Sequence, residues 1–194
     1  MIIIGLTGQT GAGKSTVAKK LTEYGCVHID ADLLARTVIS SSATVLENLK
    51  SEFGPDIFKK GALDRKALAK KAFSSFANTE KLNSITHPAV TDAIEKIIES
   101  QRKNGAKAVI IDAIALFESG EDKLCDFTVA VVAPREERFE RIVRRDKLTK
   151  KQANERIDAQ KDESFYTENS TFTVKNYGDY SLEEQLAPII AKIS

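Results

Sequence analysis

The sequence predicts an α/β fold in which helices cover both faces of a parallel sheet of five strands. Three observations support this fold class. Short apolar runs recur along the chain without polar alternation, which is typical of strands that are buried on both faces. Helical patterns separate these runs, as the crossovers between parallel strands require. The first run leads directly into a glycine-rich loop and a helix, an order typical of phosphate-binding α/β proteins.

Each predicted element follows from a local pattern. The predicted strands are the apolar runs Ile2–Leu6, Val27–Ile29, Ala108–Ile111, Phe127–Val132 and Phe172–Lys175. Helical spacing, capping residues and turn signals predict the helices Ser15–Tyr24, Leu33–Ile39, Thr44–Phe53, Asp64–Phe73, Asn78–Ile85, His87–Asn104, Arg135–Lys147, Thr149–Gln160 and a last one from Ser181. Pro134 is expected at the first helical position of its helix, and Pro188 is expected to kink or split the last helix. The roughly seventy residues between the second and third strands show no strand signal, so we expect a helical insert there.

The loop after the first strand has a specific pattern. Gly8 to Ser15 read G-x-x-x-x-G-K-S, the pattern of the phosphate-binding P-loop. Its glycines let backbone N–H groups surround an anion, Lys14 supplies a mobile positive charge, and the Ser15 hydroxyl is suited to ligate Mg²⁺. A glycine-rich turn that binds nothing is the alternative, and the flanking strand and helix argue against it. We therefore expect ATP contacts from Gly11, Ala12, Gly13, Lys14, Ser15 and Thr16.

The composition limits the classes of partner. The 29 basic and 28 acidic side chains leave a net charge of +1, which argues against a nucleic-acid or membrane-surface binder. The longest apolar stretch, Ala108 to Phe117, is interrupted by Asp112 and is too short to span a membrane. The N-terminus shows no signal-peptide pattern, and Cys26 and Cys125 fit no metal or redox spacing. We expect a cytoplasmic protein that acts on small molecules.

Several polar residues near the predicted strand ends are candidates for catalysis. Asp32 lies just past the second strand, and open α/β sheets bind ligands at the carboxyl ends of their strands. Its carboxylate could orient an attacking hydroxyl and accept the proton, or it could cap the following helix. Asp112 ends the third strand, where an acid near Mg²⁺ is common in P-loop proteins, although a capping or loop role fits equally well. Glu118 is ambiguous in the same way, and His87 fits a helix cap as well as a ligand contact.

The helix that begins at Arg135 carries a row of arginines. Arg138, Arg141 and Arg145 are spaced three and four residues apart, so they share one face. A row of guanidinium groups beside a phosphate site can stabilise charge during phosphoryl transfer. The alternative is a solvated face that pairs with the glutamates of the same helix. The glycine-rich loop favours the first interpretation.

Missing motifs narrow the kind of P-loop protein. The sequence lacks the guanine-selective Asn-Lys-x-Asp motif of GTPases and the Ser-Gly-Gly signature of transporters, and 194 residues are few for a motor. A helical insert after the second strand and an arginine-rich helix pair after the fourth suit a small-molecule kinase, in which the inserts cover the acceptor and close over ATP. We expect a three-layer P-loop NTPase fold of the nucleoside-monophosphate-kinase type in a single domain. Its expected parts are a core at 1–36, 105–134 and 168–194, an acceptor-binding insert at about 37–104 and a lid at about 135–167.

The chain also resembles the dephospho-CoA kinase family over nearly its whole length. The motifs that carry the resemblance are Gly5-Leu-Thr-Gly8 with the P-loop, Ile29-Asp-Ala-Asp32 with Ala35-Arg36, Gly61-Ala-Leu-Asp-Arg65, His87-Pro88, Leu116-Phe-Glu118, Arg141 with Arg145-Asp146, Ala159-Gln160, and Asn176 with Gly178. Many kinases share the P-loop alone, whereas its combination with the other motifs is specific. One departure is that the family's Pro-Leu-Leu-Phe-Glu reads Ile114-Ala-Leu-Phe-Glu here.

The resemblance implies an activity and a set of site residues. The implied reaction transfers a phosphoryl group from Mg²⁺-ATP to the ribose 3′-hydroxyl of dephospho-CoA, the last step of coenzyme A synthesis. Asp32 would be the general base, and Lys14 and Arg141 would complete the catalytic set. Further implied contacts are Arg145, Asn176 and Gly178 for ATP, the last two on the adenine side, and Asp32, Arg65, His87 and Phe117 for the acceptor.

Other functions fit the same loop. One is another small kinase of this fold that phosphorylates a nucleoside monophosphate or a sugar acid. A second, from a different class, is a nucleotide-gated binding module without turnover, and an α/β domain without a ligand is the third. A comparison of acceptors in the presence of ATP would distinguish another small kinase from a dephospho-CoA kinase. ADP release that depends on an acceptor would exclude both the binding module and the domain without a ligand.

Overall fold

The structure is a computed structural model that describes residues 1–193, and it contains a five-stranded parallel sheet with flanking helices. The strands are Ile2–Thr7 (β1), Cys26–Asp30 (β2), Phe58–Lys59 (β3), Ala62–Leu63 (β4), Ala108–Asp112 (β5), Phe127–Val132 (β6) and Phe172–Lys175 (β7). The helices are Lys14–Thr22 (α1), Ala31–Ser41 (α2), Ala43–Phe53 (α3), Arg65–Ala72 (α4), Phe76–Lys103 (α5), Arg135–Asp146 (α6), Lys150–Asp158 (α7), Glu163–Glu168 (α8) and Leu182–Ile193 (α9). Short 3₁₀ turns lie at Pro55–Ile57 and Glu121–Leu124.

The chain divides into two compact units. The sheet unit comprises Met1–Asp30 and the chain from Ser100 onward, and the helical unit is Ala31–Glu99. The sheet has the strand order β2-β5-β1-β6-β7 with every neighbouring pair parallel, as the sequence predicted.

The sheet unit buries the predicted apolar strands. All residues of β5 and β6 are buried, because helices pack on both faces of a parallel sheet. The register places Leu6 beside Asp112, and Asp112 beside Asp30 on the other side. The carboxyl ends of β1, β5 and β2 therefore meet at one edge, and the glycine-rich loop begins at this edge.

The helical unit has its own apolar core. Its buried residues come from α3, α4 and the 3₁₀ turn between them: Val45, Leu49, Phe53, Ile57, Leu68 and Ala72. Caps fix two of the helix starts, since Ser42 accepts a hydrogen bond from Val45 N and Asp64 accepts from the N–H groups of Lys66 and Ala67. The Asp64 cap confirms the predicted start of α4.

A small hairpin corrects the prediction that this stretch contains no strands. Strands β3 and β4 pair antiparallel, with Phe58 opposite Leu63. The two residues between them, Lys60 and Gly61, have φ angles of 51° and 82°. Tight two-residue hairpins require positive φ at such positions. In the sequence, Gly61 was recognised as the first residue of a family motif but not as part of a hairpin.

Helix α5 corrects a second prediction. The sequence predicted one helix over Asn78–Ile85 and another from His87, but a single helix runs from Phe76 to Lys103 with Pro88 inside it. A buried stripe continues across the proline at Thr86, Val90, Ile94 and Ile98. Burial of this stripe outweighs the hydrogen bond that proline cannot donate. His87 therefore lies within a helix, so its interpretation as a helix cap is wrong.

Smaller differences concern the other helix ends. Helix α9 continues through Pro188, so the predicted split is wrong; its buried face, with Leu186 and Ile189, packs into the core of the sheet unit. Pro134 is the residue before the first turn of α6 rather than the first residue in it. Thr149 and Gln152 form a capping box at the start of α7, which agrees with the predicted start of that helix, whereas the short helix α8 was not predicted. Among residues 1–193, no helix is both long enough and apolar enough to cross a membrane.

Candidate active site

The glycine loop, Gly8–Ser15, is packed tightly against the elements around it. Gly11 and Gly13 have φ angles of 83° and 96°, a region that side chains disfavour. A Cβ atom on Gly11 would lie 2.7 Å from the carbonyl oxygen of Arg138, and one on Gly13 would lie 1.9 Å from Nδ2 of Asn176. At Gly11 both the backbone angle and the neighbouring backbone exclude a side chain, whereas at Gly13 the angle is unfavourable and the Asn176 amide would have to move.

Helix α1 begins directly at the end of the loop. Its first residue, Lys14, lies across the loop, and its Nζ donates to Gly8 O at 3.2 Å. Ser15 and Thr16 are exposed in the first turn. The positive end of the helix dipole makes this position favourable for an anion.

Two side chains from distant parts of the chain hold the second half of the loop. Nη1 of Arg141 donates to Gly11 O and Ala12 O at 3.3 and 3.2 Å, and Nδ2 of Asn176 donates to Ala12 O at 2.9 Å. Nη2 of Arg141 also donates to Asn176 O at 2.8 Å and to the Glu137 carboxylate at 2.5 Å. The structure thus brings two predicted site residues, Arg141 and Asn176, onto the predicted loop.

The first half of the loop is held from the segment between α7 and α8. Thr10 N donates to Oε1 of Gln160 at 2.9 Å, and Nε2 of Gln160 donates to Thr10 Oγ1 at 3.1 Å. Nε2 of Gln9 donates to Lys161 O at 2.8 Å. The contact between Gln160 and the loop was not predicted from the sequence, in which the family motif Ala159-Gln160 is the only sign that Gln160 has a role.

The burial of Arg138 is a second feature that the sequence did not reveal. Only 6% of this residue is exposed, and its Nε and Nη1 atoms have no hydrogen-bond partner within residues 1–193. Burial lowers the pKa of its guanidinium group, and the positive charge of Arg135 lowers it further. The solvated-face interpretation of the arginine row is therefore wrong for Arg138, whose backbone packs against Gly11.

Two predicted ATP contacts lie away from these loop contacts. Arg145 binds the carboxylate of Asp146 with two hydrogen bonds of 2.7 and 2.9 Å, and Arg156 donates to the same carboxylate. Gly178 follows β7 with a φ of 54°, and a Cβ there would meet open space. Its loop also carries an exposed cation–π contact, with Nζ of Lys175 4.7 Å from the ring centre of Tyr180.

Asp112, the acid at the end of β5, is paired with a histidine. Its Oδ2 lies 3.2 Å from Nε2 of His28 on the neighbouring strand. This hydrogen bond is the main cause that raises the pKa of His28 above its usual value, although burial opposes it. The sequence analysis assigned no role to His28.

The segment after β5 carries the predicted acceptor residue Phe117. Its ring meets the ring of Phe165 edge-on, with the centres 6.0 Å apart. Thr7 Oγ1 donates to Ile114 O at 3.2 Å, so the segment that departs from the family pattern is tied to the end of β1.

Three predicted site residues belong to the helical unit. Asp32 is half-buried in the first turn of α2, two residues after the end of β2. Arg65 begins α4 and donates to Arg36 O at 2.6 Å and to Ser40 Oγ at 3.2 Å. His87 is half-buried in α5, and burial lowers its pKa, which favours the neutral ring.

The comparisons with known proteins bear on this site. The strand, glycine loop and helix, on a parallel sheet with flanking helices, define a P-loop NTPase fold of the three-layer α/β class. More particularly, the chain belongs to the dephospho-CoA kinase family, whose model matches residues 2–181. A dephospho-CoA kinase of Corynebacterium diphtheriae is 40% identical over 96% of this chain and 94% of the relative.

Solved structures agree with this assignment. A Thermus thermophilus protein matches with a TM-score of 0.83 and 33% identity, over 100% of this chain and 98% of that protein. A dephospho-CoA kinase from Campylobacter jejuni matches with a TM-score of 0.69 and 27% identity, over 99% of this chain and 96% of that protein.

Proposed function

We propose that the chain transfers the γ-phosphoryl group of ATP to the ribose 3′-hydroxyl of dephospho-CoA, which gives coenzyme A and ADP. The observation that carries this proposal is the glycine loop, held in a fixed conformation by Arg141, Asn176 and Gln160 within a chain of the dephospho-CoA kinase family. Phosphoryl transfer requires mainly alignment and charge neutralisation, and a preorganised loop supplies both.

The residues divide this work between them. The loop N–H groups and the start of α1 bind the phosphates, and Lys14 neutralises charge on the outer ones. Arg141 supports the same site through the carbonyl groups of Gly11 and Ala12. Asp32, in the first turn of α2, would act as the base that accepts the proton of the attacking hydroxyl as the new O–P bond forms and ADP leaves.

The loop also fits a magnesium ion that is bound together with ATP. The Ser15 hydroxyl is exposed and makes no hydrogen bond within the described residues, which also contain no cluster of three or more His, Cys, Asp or Glu side chains suited to a metal. Mg²⁺ commonly takes one or two protein ligands and completes its shell with water and phosphate oxygens. Ser15 would hold it, and the ion would neutralise charge on the β- and γ-phosphates.

The proposal also covers the acceptor contacts, the partners and the cellular location. Arg65, His87 and Phe117 would each contact the acceptor, and Arg145 and Gly178 would add ATP contacts when the lid at about 135–167 closes over the nucleotide. The net charge of +1 supports small molecules as the partners, with no nucleic acid or membrane, and we place the enzyme in the cytoplasm.

An acceptor panel tests the proposal. Purified protein receives Mg²⁺-ATP with dephospho-CoA, a nucleoside monophosphate, a sugar acid, or no acceptor, and ADP release is followed. Of these mixtures, we expect fast ADP release only in the one that contains dephospho-CoA. Preference for another acceptor would indicate the rival kinase function, and no acceptor-dependent release would indicate a binding module.

A further inference from the structure

We infer that Gln160 is a positioning residue of the glycine loop, which fixes the peptide between Gln9 and Thr10 and thereby the direction of the N–H groups that face the phosphates. Its carboxamide accepts from Thr10 N at 2.9 Å and donates to Thr10 Oγ1 at 3.1 Å, so both ends of the amide are used. The inference rests on the proposed function, because it assigns Gln160 to the ATP side of that reaction.

The loop needs such a contact because its own backbone is permissive. Gly8, Gly11 and Gly13 all have positive φ angles, and glycine loses more conformational freedom on ordering than any other residue. A loop left free would have to be ordered by the nucleotide, which weakens binding. Contacts from outside the loop remove this cost before ATP arrives.

Both polar groups of the peptide between Gln9 and Thr10 are hydrogen-bonded, so fixing this peptide also restricts the residues that follow it. Its carbonyl, Gln9 O, accepts from Ala12 N at 3.1 Å, while its N–H is held by Gln160. Fixing this peptide plane therefore fixes the turn that ends at Ala12. Farther along the loop, Arg141 donates to Gly11 O and to Ala12 O, and Asn176 also donates to Ala12 O. Because the peptide after Ala12 is trans, its N–H, which belongs to Gly13, points to the side opposite Ala12 O.

Gln160 acts on residues that are themselves buried. Thr10 is 4% exposed and Gln9 is 8% exposed, so water is a poor substitute for the lost carboxamide. The neighbouring Lys161 carbonyl accepts from Gln9 Nε2 at 2.8 Å, which ties the same short segment to the loop a second time. The segment between α7 and α8 therefore positions the first half of the loop, as Arg141 and Asn176 position the second half.

Gln152 offers a matched control on α7. Its side chain accepts hydrogen bonds from the N–H and hydroxyl groups of Thr149, and it touches no part of the loop. Gln152→Ala thus removes the same kind of side chain and a similar number of hydrogen bonds. Gln160→Met keeps the volume of Gln160 without its polar atoms and replaces Gln160→Ala if the smaller variant folds poorly.

The test has two independent readouts. Hydrogen–deuterium exchange of the ligand-free protein measures the order of residues 8–13, whatever the reaction proves to be. ADP release at varied ATP and varied acceptor measures the two KM values. For Gln160→Ala and Gln160→Met we expect faster exchange in this segment and a KM for ATP raised about five-fold, as the loss of roughly one net hydrogen bond predicts, with the acceptor KM within about two-fold.

Each outcome decides the inference. Gln152→Ala should leave both the exchange of residues 8–13 and the KM for ATP unchanged. Unchanged exchange in both Gln160 variants would overturn the inference even if dephospho-CoA were not the acceptor. Faster exchange with an unchanged KM for ATP would also overturn it, because the contact would then order the loop without helping the nucleotide to bind.

Discussion

Replacement of Gly13 by alanine tests the packing of the glycine loop against Asn176. Gly13 has a φ of 96°, and a left-handed conformation costs another residue roughly 1–2 kcal/mol. The added Cβ would lie 1.9 Å from Asn176 Nδ2, so the amide must abandon its 2.9 Å hydrogen bond to Ala12 O. Loss of this bond adds about 1 kcal/mol. The expected cost is therefore roughly 2–3 kcal/mol.

This energetic cost should lower the kcat/KM of Gly13→Ala for ATP. If all of it falls on the loop conformation that binds ATP, kcat/KM for ATP falls roughly 30- to 150-fold. The assay is ADP release at low ATP concentration, with chemical denaturation of the same variants. Gly25→Ala is the control, because Gly25 has a φ of 86° but nothing within 4 Å of its Cβ position. It should lose about 1 kcal/mol of stability from strain and keep normal kinetics.

A double variant separates strain from collision. In Gly13→Ala with Asn176→Ala, the colliding amide is absent and its hydrogen bond is already lost. The two effects should therefore be less than additive, since the residues share one contact. Additive losses, or a Gly13→Ala enzyme as active as Gly25→Ala, would refute the contact between Gly13 and Asn176.

Three further changes have definite expected results. Asp32→Asn should lower kcat roughly 10²- to 10⁴-fold without weakening ATP binding in calorimetry, and near-normal turnover would contradict its role as the base. Because the hydrogen bond to Asp112 raises the pKa of His28 above 6.5, the pair's stabilisation is complete below that pH and is lost as the pH rises through the raised pKa. His28→Asn should therefore lower Tm more at about pH 5.5 than at about pH 8.5, and equal losses would argue against the pair. Arg138→Met removes a buried guanidinium in which two nitrogens have no hydrogen-bond partner among residues 1–193. Denaturation should therefore show stability unchanged or about 1 kcal/mol higher, whereas a loss of about 3 kcal/mol or more would indicate a paired charge.

Local patterns explain why much of the fold could be predicted. The strands β1, β5 and β6 are continuous apolar runs, and the glycine loop is a contiguous motif, so neighbouring residues contain the necessary information. Helix α5 shows where a local rule fails. Pro88 signals a boundary, but the buried face that extends beyond it keeps the helix continuous.

The contacts that hold the glycine loop could not be predicted in this way. Arg141 meets Ala12 across 129 residues of sequence, Gln160 meets Thr10 across 150, and Asn176 meets Ala12 across 164. Helical spacing placed Arg138 and Arg141 on one face of α6, but spacing does not reveal what covers that face. Only the folded chain distinguishes the buried guanidinium of Arg138 from that of Arg141, which binds backbone carbonyls.

Phosphorus-31 NMR of the reaction mixture tests the central claim most directly. With Mg²⁺-ATP and dephospho-CoA, the account predicts a new phosphomonoester signal on the ribose 3′-oxygen that grows in equal amount with ADP. Lys14→Ala should reduce both signals together, since it acts on the transferred phosphoryl group. ADP that accumulates equally fast without dephospho-CoA, or a phosphate on any other oxygen, would contradict the account.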